Sequence, residues 1–335
     1  PSVVKTIWLT NTPPIGYVNA QGRVNYVSND LYTFVDTEVY ENLSSLFTVE
    51  GIKYAIVSPS SRTCHVIDCM YDSTSVEANI GETVVYKSIT LNVLNINDYA
   101  CYGDTCIKKA NISNDGYVGA KAFYKCTGLQ TLNTNNKGYI GSNAFGGTTS
   151  LDSAIVINKG HLGANAFENS CVKYLKISNE GNVESKAFYN CESLRTLSVA
   201  NNGYIGSSAF YNTTSLDSAV VANKGYIGAS AFENSGVKVA MVQNEGRIYD
   251  SAFKNCKNFV ELTLGNSITT LGNSVFYYCT SLPKVVIPNN VTAMGEEIFL
   301  NCKALTSVKI GTGIPEIKTY AFSGCSSLPE IEIPQ

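Results

Sequence analysis

The sequence predicts an elongated, β-rich solenoid in which short parallel strands stack rung on rung, and three recurrences predict it. The first is a phenylalanine that returns about every 22 residues, at Phe123, Phe145, Phe167, Phe188, Phe210, Phe232, Phe253, Phe276, Phe299 and Phe322, usually preceded by Ala. The second is an apolar triplet spaced x, x+3, x+5, such as Leu129/Leu132/Thr134, Leu194/Leu197/Val199 and Leu305/Val308/Ile310. The third is an Asn- and Gly-rich turn after each triplet, as in Asn136-Lys137-Gly138 and Asn223-Lys224-Gly225. A fixed period of this length marks units too small to fold alone, which bury their apolar edges against neighbours.

Each rung reads in order. The last two members of the triplet alternate at period two, as one face of a short strand must. The turn follows, and its glycine column is expected to supply positive φ rather than a phosphate cradle. A second short strand then carries one inward residue (Val118, Ile140, Leu162, Val183, Ile205, Ile227, Ile248, Leu271), before a bend aims Ala-Phe at the core. A longer period lies over this one. Residues 138–202 and 203–267 match at more than half of their positions, which indicates a duplicated block of three rungs.

Eleven cysteines invite a disulfide framework. Cys126, Cys191, Cys256, Cys279, Cys302 and Cys325 each fall three residues after a repeat Phe, a phase that points inward, so they are read as reduced core residues. Cys64, Cys69, Cys101 and Cys106 lie off that phase. A Cys64–Cys69 or Cys101–Cys106 link is the expectation there. Zinc is the weaker alternative, because the spacing is five and no His pair completes a site.

Net charge is −3 and only 15% of residues are charged, so no basic stripe is present to bind nucleic acid. No apolar run approaches the roughly 20 residues that span a bilayer. The opening Pro1-Ser2-Val3-Val4 already reads as a strand, so the chain is expected to come from a longer or processed precursor. At the other end, a bare strand over Glu330–Ile333 would invite pairing with further chain or another molecule.

The C-terminal rungs carry a motif: Val285-x-Ile287-Pro288-x-x-Val291-Thr292-x-Met294-Gly295-x-x-Ile298-Phe299-x-x-Cys302-x-x-Leu305. It resembles the BspA-like leucine-rich repeat, a unit of about 23 residues reading I-P-x-x-V-T-x-I-G-x-x-A-F-x-x-C-x-x-L. The rungs from Tyr117 to Gly246 replace Pro-x-x-Val by Asn-x-Gly, so curvature is expected to change near Leu264. The resemblance divides the chain into a segment 1–47 closing an upstream repeat block (Lys5-Thr6-Ile7-Trp8-Leu9-Thr10, Val24-Asn25-Tyr26-Val27, Leu43-Ser44-Ser45-Leu46-Phe47), a β-hairpin-like cap over 48–80, and a leucine-rich-repeat solenoid of about eleven rungs over 81–335. Cys101 falls at the Phe phase of its opening rung. It also implies a secreted or surface-attached bacterial protein, extracellular in location, with adhesion to host matrix proteins or other cells as the role.

Chemistry is sparse. His65 and His161 are the two histidines; a Cys64–His65 pair would lack an orienting third group, and carboxylates are scattered at turn phases. No catalytic residues, cofactor or metal are assigned, and the chain is read as a non-catalytic scaffold. Two surfaces stand as binding candidates. One is the column Tyr117, Tyr139, His161, Tyr204 and Tyr226, which would form an aromatic stripe able to grip sugar rings or a partner's apolar residues, or else only stabilise the ladder by cross-strand packing. The other is the outward side of the first strand, where Ile155, Tyr174, Val220 and Met241 join Lys108, Lys109, Asp152, Lys173, Lys176, Asp217 and Val239. A protein ligand is the expected partner, with a glycan-binding module or a passive surface spacer as alternatives.

Overall fold

The structure is a computed structural model that describes residues 16–18, 24–26, 45–58, 60–71 and 76–331. Every regular element among these residues is a β-strand. The expected strand at 1–4, the 5–10 stretch of the upstream segment and residues 332–335 lie outside them. In the segment 1–47, β1 (Gly16–Val18) pairs antiparallel with β2 (Val24–Tyr26).

A five-stranded sheet precedes the repeats. In it β3 (Leu46–Val49), β4 (Ile52–Ser58) and β5 (Thr63–Cys69) form successive antiparallel pairs. After β6 (Val76–Ile80) come β7 (Thr83–Tyr86) and β8 (Ile89–Ile96), and β5 pairs parallel with β8. Phe47 stacks on both Tyr54 and Tyr86, at 5.1 and 4.3 Å, so the two edge strands β3 and β7 lean toward each other.

The repeats build one long parallel sheet. It runs from β6 through β9 (Ile107–Ile112), β10 (Thr131–Asn136), β11 (Ser153–Asn158), β12 (Tyr174–Asn179), β13 (Thr196–Asn201), β14 (Ser218–Asn223) and β15 (Val239–Asn244). β16 (Gly246–Ile248) belongs to the far side of its rung, and β17 (Glu261–Leu264) ends the nine-stranded sheet. Beyond it, β18 (Ile268–Leu271) and β20 (Ala293–Met294) continue the β16 side, while β19 (Lys284–Val286) pairs with β21 (Ser307–Lys309) in a separate sheet. The expected second strand is, over most of the array, a single residue per rung. Val118, Ile140, Leu162, Val183, Ile205 and Ile227 are linked by isolated parallel bridges and are all buried.

Three internal columns hold the rungs. The Phe rings from Phe123 to Phe322 stack face to face at 4.9–5.7 Å. Each N–H from Phe123 to Phe232 donates to the Ala carbonyl of the next rung at 2.7 Å. The residues two before and two after each Phe are left-handed, for example Lys121 and Lys125 (φ 55° and 59°) around Phe123. This pair of αL residues makes the tight bend, and Asn often takes the second position because it tolerates that region.

The cysteine column is as its phase predicts. All six thiols are buried and free, and five donate to the carbonyl of the preceding rung's Phe, as Cys191 Sγ does to Phe167 O at 3.1 Å. The sixth, Cys126, donates to Cys101 O, which stands at the Phe phase. Burial pushes the Cys191 and Cys302 thiols up to about 12.

The off-phase cysteines correct the expectation. The disulfide joins Cys69 to Cys101, with Cα atoms 4.8 Å apart, and Cys64 and Cys106 are free. Cys64 and Cys69 are both on β5, and five extended residues separate them by about 16 Å. Cys69, by contrast, is brought to Cys101 because its N–H donates to Ala100 O.

The third column was legible only as a turn. Asn158, Asn179, Asn201, Asn223 and Asn244 are buried, and each of the first four donates its Nδ2 to the Oδ1 of the next at 2.8–3.0 Å. The same Nδ2 also holds its own turn, as Asn201 does through Tyr204 O. The neighbouring glycine column has another cause than the one expected. Of that column only Gly246 has the expected positive φ, at 90°; Gly116, Gly138, Gly160, Gly181, Gly203 and Gly225 do not, but a Cβ on Gly138 would meet Gly116 backbone atoms at 2.5 Å. Close approach of successive rungs excludes a side chain there.

Two substitutions test these columns. Phe188→Ala is expected to cost about 3–5 kcal/mol in chemical denaturation. Asn201→Ala, which strands a donor on Asn179 and acceptors on Tyr204 and Asn223, is expected to cost about 2–3 kcal/mol, while Asn202→Ala one residue away on the exposed turn costs under about 0.5 kcal/mol. Equal losses at Asn201 and Asn202 would show that the ladder carries no stability.

Candidate functional site

The tyrosine column emerges as two stacked pairs. Tyr117 and Tyr139 lie 4.9 Å apart with planes within 9°, and Tyr204 and Tyr226 lie 4.7 Å apart within 4°. Between them, exposed His161 accepts at Nδ1 from the Asn182 N–H at 3.2 Å, with Glu184 3.8 Å away. The Tyr204 hydroxyl donates to Glu184 Oε2 at 2.7 Å, and that bond first, burial second, raises its pKa to about 12. Tyr226 turns its edge to Tyr249, whose ring carries the Arg247 guanidinium at 4.4 Å. Each stacked pair covers its own inner ring faces, so what this stripe offers solvent is mostly edges, hydroxyls and the outer faces of the end rings.

The strand-face candidates form a different surface. Ile155, Tyr174, Val220 and Met241 are 41–51% exposed. Register places Val220 beside Met241 on β14 and β15, with Val239 also on β15. Ile155 lies three strands away, on β11 next to the β12 strand of Tyr174, and Ile157 of β11 is equally exposed. The two apolar clusters are thus related by the three-rung duplication. Ion pairs repeat with them, Lys173 with Asp152 at 2.8 Å and Lys238 with Asp217 at 2.6 Å.

Sequence reasoning missed two features. A second tyrosine row follows the Phe column, with Tyr189 and Tyr211 stacked at 5.0 Å and Tyr102 against Tyr124 at 5.4 Å below Lys121 and Lys125; the signal was the residue after each Phe. The other is a trough of about 690 Å³ at the strand ends of β12–β15, where small outward residues (Ser178, Ala200, Ala222) sit beside the turn residues Glu180, Asn202, Lys224 and Glu245.

The Cys64–His65 pair has no catalytic geometry. Cys64 is fully buried, its thiol pushed up to about 12 by desolvation, and His65 shares a hydrogen bond of 3.1 Å with Asn95. Among the described residues no cluster of three or more His, Cys, Asp or Glu is placed to hold a metal ion, and no helix is long and apolar enough to cross a membrane.

The Tyr204–Glu184 bond makes a pH prediction. A tyrosine whose folded pKa is raised contributes stability that is complete below its unfolded value, about 10, and lost as pH rises through about 12. In ¹³C-tyrosine NMR titrations, with Tyr204→Phe used for assignment, Glu184→Gln is expected to return the Tyr204 transition toward the ordinary range. An unchanged transition would mean that Glu184 does not hold the proton in place.

No functionally curated protein matches the chain by sequence. Among solved structures, a leucine-rich repeat protein from Bacteroides ovatus shares 21% identity over 85% of this chain and 94% of that one, with a TM-score of 0.45. The T. pallidum leucine-rich repeat protein shares 18% over 71% and 90%, at 0.42, and the pneumococcal vaccine antigen PcpA 16% over 85% and 86%, at 0.35. At these scores the fold rests on the chain's own strand pairing. The sequence profile of the BspA type Leucine rich repeat region matches six copies, over residues 79–130, 94–170, 116–238 and 246–335. Most of the chain being covered in this way, it belongs to the BspA-type leucine-rich repeat family.

Proposed function

We propose that this chain is a non-catalytic, extracellular protein-binding scaffold of a bacterial cell surface, and that its contact face is the long parallel sheet. The observation that carries the reading is the gathering of Ile155, Ile157, Tyr174, Val220, Val239 and Met241 on one solvent-facing side. Outward strand positions are ordinarily polar, and clustered exposed apolar residues mark contact sites. The Cys69–Cys101 disulfide supports an oxidising, extracellular compartment. Glycan binding by the tyrosine stripe is less well supported, because the rings spend their inner faces on one another, and sugar recognition by aromatic residues needs free faces. A passive spacer gives the apolar face no role.

The test is biolayer interferometry of the chain against host matrix proteins. Saturable binding is expected, weakened by about tenfold or more in Val220→Lys with Met241→Lys. Tyr139→Ala with Tyr204→Ala should leave it unchanged. Loss in the tyrosine variant alone would move the site to the stripe, and no binding to any surface protein would sink the reading.

A further inference from the structure

We propose that the trough at the strand ends of β12–β15 is a separate binding site for an unbranched, uncharged oligosaccharide lying along the solenoid axis. This site adjoins the apolar sheet face at one end of the same strands and is separate from the tyrosine stripe.

The trough is built by one column of the sheet. In register, Ile157 of β11 is followed by Ser178, Ala200, Ala222 and Gln243. The large exposed Ile157 stands on the rung before the trough, and small side chains then open the channel. At the other end β17 stops at Leu264, and Gly265 N–H donates to Val242 O where a further outward side chain would stand. The lining spans five rungs, so four rung intervals give about 19 Å of length. One wall is the turn row Glu180, Asn202, Lys224 and Glu245.

The chemistry of the lining selects the occupant. The wall residues' own N–H groups are spent: those of Glu180, Asn202, Lys224 and Glu245 donate to the buried asparagines' carbonyls of the preceding rung. The channel crosses the strands rather than following an edge, so it presents no row of open backbone groups for an added peptide strand. An amphipathic helix needs an apolar groove, and the only apolar side chains of the floor column here are two alanines, between Ser178 and Gln243. What remains is one polar wall side chain per rung, in turn a carboxylate, a carboxamide, an ammonium and a carboxylate, a mixture of donors and acceptors suited to hydroxyl-rich rings. The rung spacing, about 4.8 Å, is close to the length of one sugar unit, so each successive ring would meet one wall side chain. Two carboxylates against one ammonium disfavour a polyanion.

The experiment is NMR titration of the labelled chain with cellohexaose, xylohexaose and chitohexaose, with a heparin hexasaccharide and an extended poly-Ser peptide as contrasts. The expected result is saturable shifts from a neutral hexaose confined to residues such as Ala200, Ala222 and Gln243. Affinity should fall about tenfold in Ala222→Trp, which fills the channel, and in Asn202→Ala with Glu245→Ala, which leaves the fold intact. Tyr139→Ala should not change it. Shifts from the peptide or heparin instead, shifts that survive the Asn202/Glu245 variant, or none with any neutral hexaose would each overturn the proposal. Matrix-protein binding is read separately, so failure here leaves the sheet-face reading standing, and the reverse.

Discussion

Rung separation is the constraint on which the rest of the molecule depends. It is set where the Phe N–H reaches the next Ala carbonyl at 2.7 Å while the ring above lies about 5 Å away. Both contacts demand the same pitch, and the bridge residues on the far side, Val118 to Ile227, repeat it. The glycine columns follow from that pitch, since at Gly138 and Gly160 the preceding rung's backbone occupies the space a Cβ would need. Their function is steric. A rung that kept its Phe but carried alanine at this turn would have to part from its neighbour, and the loss would spread to the ring stack.

The interior is not uniformly apolar, and its polar part is directional. The asparagines from Asn158 to Asn223 all donate toward the C-terminal end, with Asn244 the last acceptor, so their side-chain dipoles add along the axis. Aligned amides polarise one another in a low-dielectric setting, and each unpaired member would be costly. Each Asn also closes its own turn, which couples local chain reversal to the identity of the rung above. The ladder stops after Asn244, one rung before the long sheet ends at β17. The switch from Asn-x-Gly to Pro-x-x-Val turns is therefore a change in what holds the rungs together as well as in sequence.

Most of the fold was legible because periodicity reports burial directly. The Phe, Cys and triplet columns landed inside, with Leu262, Phe322, Leu328 and Ile331 only partly buried, and Cys101 took the Phe position as its phase implied. What was not legible depended on contacts between rungs or between the five-stranded sheet and the first rung. Asn201 looked like a turn residue because turn chemistry and ladder chemistry favour the same amide. Cys69 and Cys101 are joined by β5–β8 pairing, which no local spacing encodes. Of the candidate site, the exposed apolar residues could be read from strand alternation. The trough could not, because it arises from the absence of side-chain volume at Ser178, Ala200 and Ala222 on adjacent strands.

The Cys69–Cys101 bond has a mechanical side. A solenoid whose rungs are fastened mainly by hydrogen bonds and stacked rings can be peeled one turn at a time when its chain is drawn out. Here tension arriving from the N-terminal side of Cys69 does not travel through the next 32 residues of chain; it crosses the sulfur atoms and enters at Cys101, in line with the phenylalanine spine. β6, β7 and β8 lie inside a loop that carries no load. The first rung is thereby spared from being the weakest tooth of the zipper.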